Sequence, residues 1–296
     1  MQEDHLQREA SSFVDFVAPD GLPLRVLRFE PQKDTGLHDH KFYELVIVFG
    51  GESCHNTIRE RYQIGAGDVF LIRPGEIHGY EATNGLNLVN ILYWQEQLNL
   101  PLYDLKNLPG YHAFFELEPE MRRQHGFRKH LQVSKRNLSF LAVACRELEN
   151  CLSRNAPGCL FHGVAIFMQI IGCISGSFQS DADRAAEHEL LWQHSQLLSD
   201  IERHWLEPFP LEALAKRHGM SASTLYRLFI RLFGQSPLEY LIGLRIARAQ
   251  ELLVRSSQSI GEVAQATGFQ DSNYFSRCFR RVTGETPSCY RKRMQG

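Results

Sequence analysis

The chain has no run of about eighteen apolar residues of the kind that spans a bilayer, and its opening, MQEDHLQREA, is polar and acidic where a secretory leader is basic and then apolar. Those absences predict a cytoplasmic protein with no membrane partner. Cysteine is sparse and forms no C-x-x-C pair: the seven, Cys54, Cys145, Cys151, Cys159, Cys173, Cys278 and Cys289, are scattered. Neither a zinc ribbon nor a dithiol redox motif is expected, and reduced thiols are. An excess of one charge is missing too, with a formal net charge of −2, yet the balance is uneven along the chain. Residues 201–296 carry fourteen Lys and Arg against eight Asp and Glu, and residues 1–200 carry eighteen against twenty-six. A basic tail on an acidic body points to a polyanion partner. What is present is ample apolar material, 43% of 296 residues, which is enough for two packed domains.

From Leu24 to about Tyr93, short apolar segments (LRVLRFE, YELVIVF, DVFLIRP, NLVNILYW) alternate with turn chemistry in GGES, GAGD and TNGL. Many short strands at such intervals predict a small β-barrel or sandwich. The stretch from Leu98 to Pro119 contains Pro101, Pro109 and Pro119 and reads as a connector with little regular structure. From Ser134, apolar residues at three- and four-residue steps (Leu138, Leu141, Ala142, Cys145, Leu148, Leu152) predict a helix that ends at RNAPG. A second helix, about Cys159 to Phe178, is apolar on most sides. It suits either an ordinary hairpin within the domain or a face shared with another subunit. Gln179 to His188 is polar, without apolar rhythm, and reads as a linker. The predicted organisation is therefore multidomain: a β-rich domain with a helical hairpin over 1–178, a linker over 179–188 and an all-α domain over 189–296.

Sliding the last hundred residues against themselves reveals a repeat. Ala215 and Gly219 match Ala264 and Gly268 at an offset of 49, while Leu225, Arg227, Phe229, Gly234 and Pro237 match Phe275, Arg277, Phe279, Gly284 and Pro287 at 50. Each copy predicts a helix, a turn opening with Gly, and a second helix capped by Ser221 or Asp271, which is a helix-turn-helix. Inward positions take Leu225, Leu228, Phe229 and Leu232 in one copy and Phe275 and Phe279 in the other. Ser223, Tyr226, Arg227 and Arg231, and Ser272, Asn273, Ser276, Arg277 and Arg280, are left facing outward. Such side chains suit base edges and phosphates. A helix of roughly seventeen residues between the copies, about 25 Å long, suits two recognition helices set in successive major grooves.

These residues carry a resemblance. AKRHGMSASTLYRLF, LRIARAQELL and IGEVAQATGFQDSNYFSRCFRRVTGETP look like the DNA-binding domain of the AraC family of transcription regulators. The resemblance implies double-stranded DNA and RNA polymerase as partners, a homodimer, and activation of transcription. It places base-facing roles on Ser223, Tyr226, Arg227, Ser272, Asn273, Ser276 and Arg277.

The N-terminal pattern Gly36-x-His38-x-His40-x-x-x-Glu44, followed by Gly67-Asp68 and Pro74-Gly75-x-x-His78, resembles the two motifs of the cupin β-barrel. In metal-binding cupins His38, His40, Glu44 and His78 would ligate a divalent metal. In sensor domains joined to AraC-type DNA-binding domains such residues serve as pocket or structural groups, and both readings stay open here. The segment from about Thr35 to Tyr93 resembles the sensor half of rhamnose-responsive regulators in particular, which implies a sugar effector. Planar polar side chains and aromatic rings bind sugars, and the effector-binding candidates are Arg25, His38, His40, Tyr43, Glu44, Arg73, His78, Asn90 and Tyr93, with Arg28 and Trp94 beside them. The resulting expectation is a sugar-responsive DNA-binding regulator and not an enzyme, with the residues before Leu24 as a lid. The alternatives are a cupin metalloenzyme with an accessory DNA-binding domain and a DNA-binding protein whose barrel only dimerises.

Overall fold

The computed structural model describes residues 22–58, 60–98, 100–123, 131–154, 156–178 and 186–295. Most of the expected lid before Leu24, residues 1–21, and most of the expected linker, residues 179–185, lie outside the described residues. The chain divides into two compact units, Met1–Gln196 and Leu197–Gly296.

The first unit opens with β1 (Leu24–Phe29), β2 (Thr35–His38), β3 (Tyr43–Thr57), β4 (Arg61–Gly65), β5 (Asp68–Ile72) and β6 (His78–Tyr93), and later adds β7 (Leu131–Gln132). All pair antiparallel, in the order β1-β6-β3-β5-β7, with β2 on β6 and β4 on β3. The segments GGES and TNGL, expected as turns, lie inside strands of 15 and 16 residues. Glycine there marks bulges instead, and the register of β3 on β6 shifts between Val48 and Cys54. Gly51 has φ +71°, and a Cβ on it would run into the backbone of Gly85 and Leu86. The paired strands therefore bend here, and their two halves fold over one interior. GAGD is a true turn, closed by the Asp68 carboxylate accepting from the Gly65 amide at 2.6 Å.

Alternation along the strands sorts the side chains. Val46, Val48, Ile64, Phe70, Ile72, Tyr80, Leu86 and Leu88 form one buried cluster inside the fold. Leu45, Ile47, Val89 and Ile91 are just as buried on the opposite face. Burial of each such side chain contributes about 1.5–3 kcal/mol.

After β6 come a short helix, α1 (Gln95–Leu98), and then α2 (Pro109–Tyr111), which runs through a π-helical stretch, His112–Leu117, into α3 (Glu118–Arg123). The expectation of little regular structure over 98–119 is thus corrected. Pro109 sits at the helix start, where its missing N–H is not needed, and the widened π turn stands directly before Pro119. His112, fully buried, locks this stretch by bonding the Glu116 carboxylate at 2.8 Å and the Lys106 carbonyl at 2.7 Å.

The helices α4 (Lys135–Ser153) and α5 (Cys159–Ser177) form an antiparallel hairpin that meets β1. Gly163 lets α5 approach Leu148 and Leu152 of α4, and Phe167 packs on Tyr93 with ring centroids 5.1 Å apart. By length and composition α5 could cross a membrane, yet Phe167, Ile170, Ile171 and Ile174 are buried in this unit. The helix α6 (Ala186–Arg203) runs across the boundary between the units, beginning inside the stretch expected as linker.

The second unit is helical: α7 (Leu211–Arg217), α8 (Ala222–Phe233), α9 (Pro237–Arg255), α10 (Ile260–Ala266), α11 (Ser272–Thr283) and α12 (Pro287–Gln295). The central helix α9 has 19 residues, about 28 Å. A capping box of Ser236 and Glu239 starts it, and Ile242, Ile246, Ala249 and Leu253 bury it against Val263, Phe275 and Phe279 of the second repeat.

Candidate functional site

The two repeats fold alike because their local signals are alike. The Ser221 hydroxyl accepts from the Thr224 amide and starts α8, and the Asp271 carboxylate accepts from the Tyr274 amide and starts α11. Gly234 and Gly284, both left-handed, end them. Leu225, Leu228, Phe229 and Leu232 are buried in α8, and Phe275, Cys278 and Phe279 in α11. On the other side Ser223, Tyr226, Arg227, Arg231, Ser272, Asn273, Arg277 and Arg280 are exposed. Ser276 is half-buried and donates to the Ser272 carbonyl, while Arg277 lies over the Tyr274 ring at 5.8 Å.

Two polar anchors that periodicity does not reveal hold these helices in place. Asp200 near the end of α6 accepts from Arg217 at 2.7 Å and faces His218 Nε2 at 3.1 Å, at the turn of the first repeat. Arg245 of α9 donates to the carbonyls of Trp205, Glu207 and Gly268, and the last of these is the turn glycine of the second repeat.

In the first unit the nine effector candidates separate into three places. Tyr43 and Tyr93 pair across β3 and β6 and stack 5.3 Å apart, with Tyr93 against Phe167 of α5. By strand alternation they lie on the face opposite Glu44, away from the interior cluster. Arg28 points to the helices as well, donating to Glu149 at 2.8 Å, and Trp94 packs on Phe42. Arg73 turns outward to α3, donating to Glu120 at 3.2 Å and to the Glu116 carbonyl at 2.8 Å. The remaining group is interior. Arg25 and Asn90 share its strand face by register, and the Asn90 oxygen is buried without a hydrogen-bond partner.

His40, Glu44 and His78 converge so that one ligand atom from each lies within 4.8 Å of the others. His40 Nε2 is 2.8 Å and His78 Nε2 3.8 Å from Glu44 Oε2. His38, less buried, has its ring 4.4 Å from that of His78. A fourth imidazole, His55, is fully buried 5.8 Å from the His78 ring and 5.4 Å from Tyr80. It is absent from the sequence candidates because its segment reads as the end of a turn, although β3 continues through it.

The tautomers follow from the neighbours. A carbonyl can only accept, so the nitrogen facing it carries hydrogen. Nδ1–H of His38, His40 and His78 donates to the carbonyls of Gly36, Phe42 and Glu76 at 3.0, 2.8 and 3.3 Å. In the neutral rings the Nε2 lone pairs are then left over. Those of His40 and His78 are buried, make no well-angled hydrogen bond, and face a carboxylate. Three acceptors around one point call for a cation, either a proton or a metal. Backbone carbonyls orienting two imidazoles beside a carboxylate make a donor set that fits zinc, nickel, manganese or iron. Burial acts to raise the Glu44 pKa, but the imidazoles of His40, His78 and His38 around it act to hold it below the usual carboxylate value. His78 is pushed down to about 3 by burial.

Residues 214–293 match the family model described as a helix-turn-helix domain, and residues 19–138 match the AraC-like ligand binding domain. The chain is 32% identical over 283 residues to the HTH-type transcriptional activator RhaR of Pectobacterium carotovorum subsp. carotovorum, covering 94% of each chain. The chain belongs to the AraC family of transcription regulators. It is also 30% identical over 274 residues to the HTH-type transcriptional activator RhaS of Escherichia fergusonii, covering 93% of this chain and 94% of that protein. Among solved structures, an AraC-type transcriptional regulator from Chromobacterium violaceum is 31% identical over 34% of this chain and 91% of its own, with a TM-score of 0.33. This AraC-family chain is accordingly a DNA-binding transcription regulator and not an enzyme, in keeping with full-length relatives that are transcriptional activators.

Two outcomes are expected. As base contacts, Arg227→Ala and Arg277→Ala each cost about 1–3 kcal/mol of discrimination between operator and scrambled DNA. This is read by titrating labelled duplexes, and an equal loss on every sequence assigns the arginines to phosphates. The second concerns acid. The unfolded chain binds a proton at His78 near its ordinary 6.5 and the folded chain only near 3, so the folded state carries fewer protons between those values. Stability of the chelator-treated protein therefore falls as pH drops from about 6.5 towards 3, by about 1.4 kcal/mol per pH unit from this group. Urea unfolding at several pH values shows the slope, and His78→Asn flattens it.

Proposed function

We propose that this regulator is a cytoplasmic, homodimeric transcription activator whose N-terminal unit takes up a small neutral sugar and thereby changes how the two helix-turn-helix motifs engage DNA and RNA polymerase. The boundaries proposed are 1–178 for the sensor, 179–188 for the linker and 189–296 for the DNA-binding domain. Ser223, Tyr226, Arg227 and Arg231, with Ser272, Asn273, Ser276 and Arg277, read the DNA. Arg25, His38, His40, Glu44, Arg73, His78 and Asn90 supply the polar surroundings of the effector. The supporting observation is a set of polar side chains gathered within a sheet whose interior cluster is Val, Ile, Leu, Phe and one Tyr. Such a set is needless for folding alone and suits an oriented polar ligand. Rhamnose is the first sugar to test, on the resemblance of residues 35–93. A ligand shifts the regulator only by its difference in affinity for the two arrangements.

A second component is favoured by the tautomer argument: a divalent metal held by His40, Glu44 and His78, with His38 alongside. Bound there, it would act as a fixed positive centre that orients a polar ligand.

Thermal unfolding against a panel of neutral sugars including rhamnose, with and without a chelator, tests both readings. A sugar at a hundred times its dissociation constant adds about 2.7 kcal/mol to the folded state. Loss of the shift on chelation assigns the histidines to a metal, and a panel without any shift removes the sugar reading. The dimer is expected to use the outer faces of α4 and α5, where Phe140, Val143 and Phe161 are 44%, 59% and 75% exposed and Gly172 and Gly176 leave open space. Phe161→Glu should convert the dimer to monomer at micromolar concentration in analytical ultracentrifugation. A wild-type monomer there counts against the dimer.

A further inference from the structure

The two helix-turn-helix motifs are joined to the central helix α9 by different chemistry. The second shares an apolar cluster with it, in which Ile242, Ile246, Ala249 and Leu253 pack with Val263, Phe269, Phe275 and Phe279. Close packing of that kind makes the second motif and α9 one body. The first motif meets α9 nearer its start, where the Tyr240 ring lies 5.4 and 5.3 Å from those of Phe229 and Phe233. Burial of apolar surface is non-directional, so such contacts favour closeness without choosing an angle. Arg248 of α9 faces Glu202 of α6 at 3.9 Å, an ion pair too long to be a hydrogen bond.

Direction comes from Arg245, midway along α9. The Nε–Nη2 edge of its guanidinium donates to the carbonyls of Trp205 and Glu207, both at 2.8 Å, and Nη1 donates to the carbonyl of Gly268 at 2.9 Å. Trp205 and Glu207 lie on the segment that leads from α6 into α7, and so into the first motif, while Gly268 stands in the turn of the second. A planar fork with fixed donor directions holds its acceptors at set distances and angles. The fit is close at Gly268, where an added Cβ would stand 3.0 Å from Arg245 Cζ. At the matching Gly219 of the first repeat, an added Cβ would meet nothing within 4 Å. The two turns therefore differ in their surroundings: the second is fitted to a side chain that also holds the approach to the first motif.

We propose that Arg245 is a positioning residue that fixes the separation and angle of the two recognition helices, and so makes the spacing between half-sites a determinant of operator choice. It acts through the carbonyls it holds. Two linked modules reinforce one another on a duplex only when their frame presents them at the span the DNA offers. Each added base pair moves one half-site by about 3.4 Å and turns it around the helix axis. A stiff frame therefore rejects the wrong spacing, and a loose one accepts it. The inference rests on the reading that both motifs contact DNA.

The test uses the full-length protein and a duplex that the wild type selects from a random-sequence pool, with copies in which one base pair is inserted or removed between the half-sites. The quantity read is the ratio of Kd on altered spacing to Kd on selected spacing. Loss of folded protein scales both constants alike and leaves this ratio unmoved. Wild-type protein should prefer the selected spacing by about tenfold or more. Arg245→Met, which keeps the aliphatic stem and removes the donors, should reduce the preference to about twofold, and Arg245→Lys, with an ammonium in place of the fork, should fall between them. A wild-type ratio in a cooperatively melting Arg245→Met protein overturns the proposal. Should that variant fail to fold, a wild-type ratio in Arg245→Lys overturns it equally. A wild-type protein indifferent to the inserted base pair overturns the two-motif reading together with the proposal.

Discussion

The pairing of β3 with β6 is the constraint on which the sensor unit depends. These two strands run together from Tyr43↔Tyr93 to Thr57↔His78, and every other strand but β7 is hydrogen-bonded to one of them. Because the pair bends at the bulges around Gly51, the register that aligns Glu44 with Leu92 at one end brings His78 beside Thr57 at the other. The fold then returns His78 to Glu44. The histidine cluster is thus a product of the bend. Straight strands of this length, at about 3.3 Å per residue, would leave the two ends of β3 more than 40 Å apart.

The same bend leaves β5 with a partly unpaired edge, since β7 covers only Asp68 and Val69. Arg122 closes that gap by donating to the Leu71 carbonyl while Glu118 and Glu76 neutralise it. A buried cation with one partner removed is destabilising by about 3–5 kcal/mol, so α3 is held by chemistry that tolerates little exchange.

How far the sequence discloses this arrangement differs between the units. In the second unit nearly everything was legible: repeated turn glycines, caps and a 3.6-residue stripe each act within a few residues, so pattern alone placed the helices and their outward faces. In the first unit the strands were legible and their continuity was not. Glycine in GGES and TNGL signals a kink equally well in a hairpin or in a bulge, and only long-range pairing decides. That ambiguity hid His55. The helical stretch from Pro109 was hidden as well, because proline reads as a breaker unless its place in the first turn is known. Tyr43 and Tyr93 were nominated by residue type, and a side chain's face depends on register that spacing across fifty residues cannot supply. Arg245 and Asp200 were invisible for a simpler reason, since their partners are backbone carbonyls and residues remote in sequence.

The two recognition helices, alike in shape, begin differently. The start of α8 is capped by the neutral hydroxyl of Ser221, and that of α11 by the carboxylate of Asp271. A helix start carries about half an elementary positive charge. Asp271 spends that charge within the protein, whereas Ser221 leaves it available to a nucleic-acid phosphate. If both helix starts meet phosphates in the proposed DNA contacts, rising ionic strength loosens the first motif at its helix start more than the second.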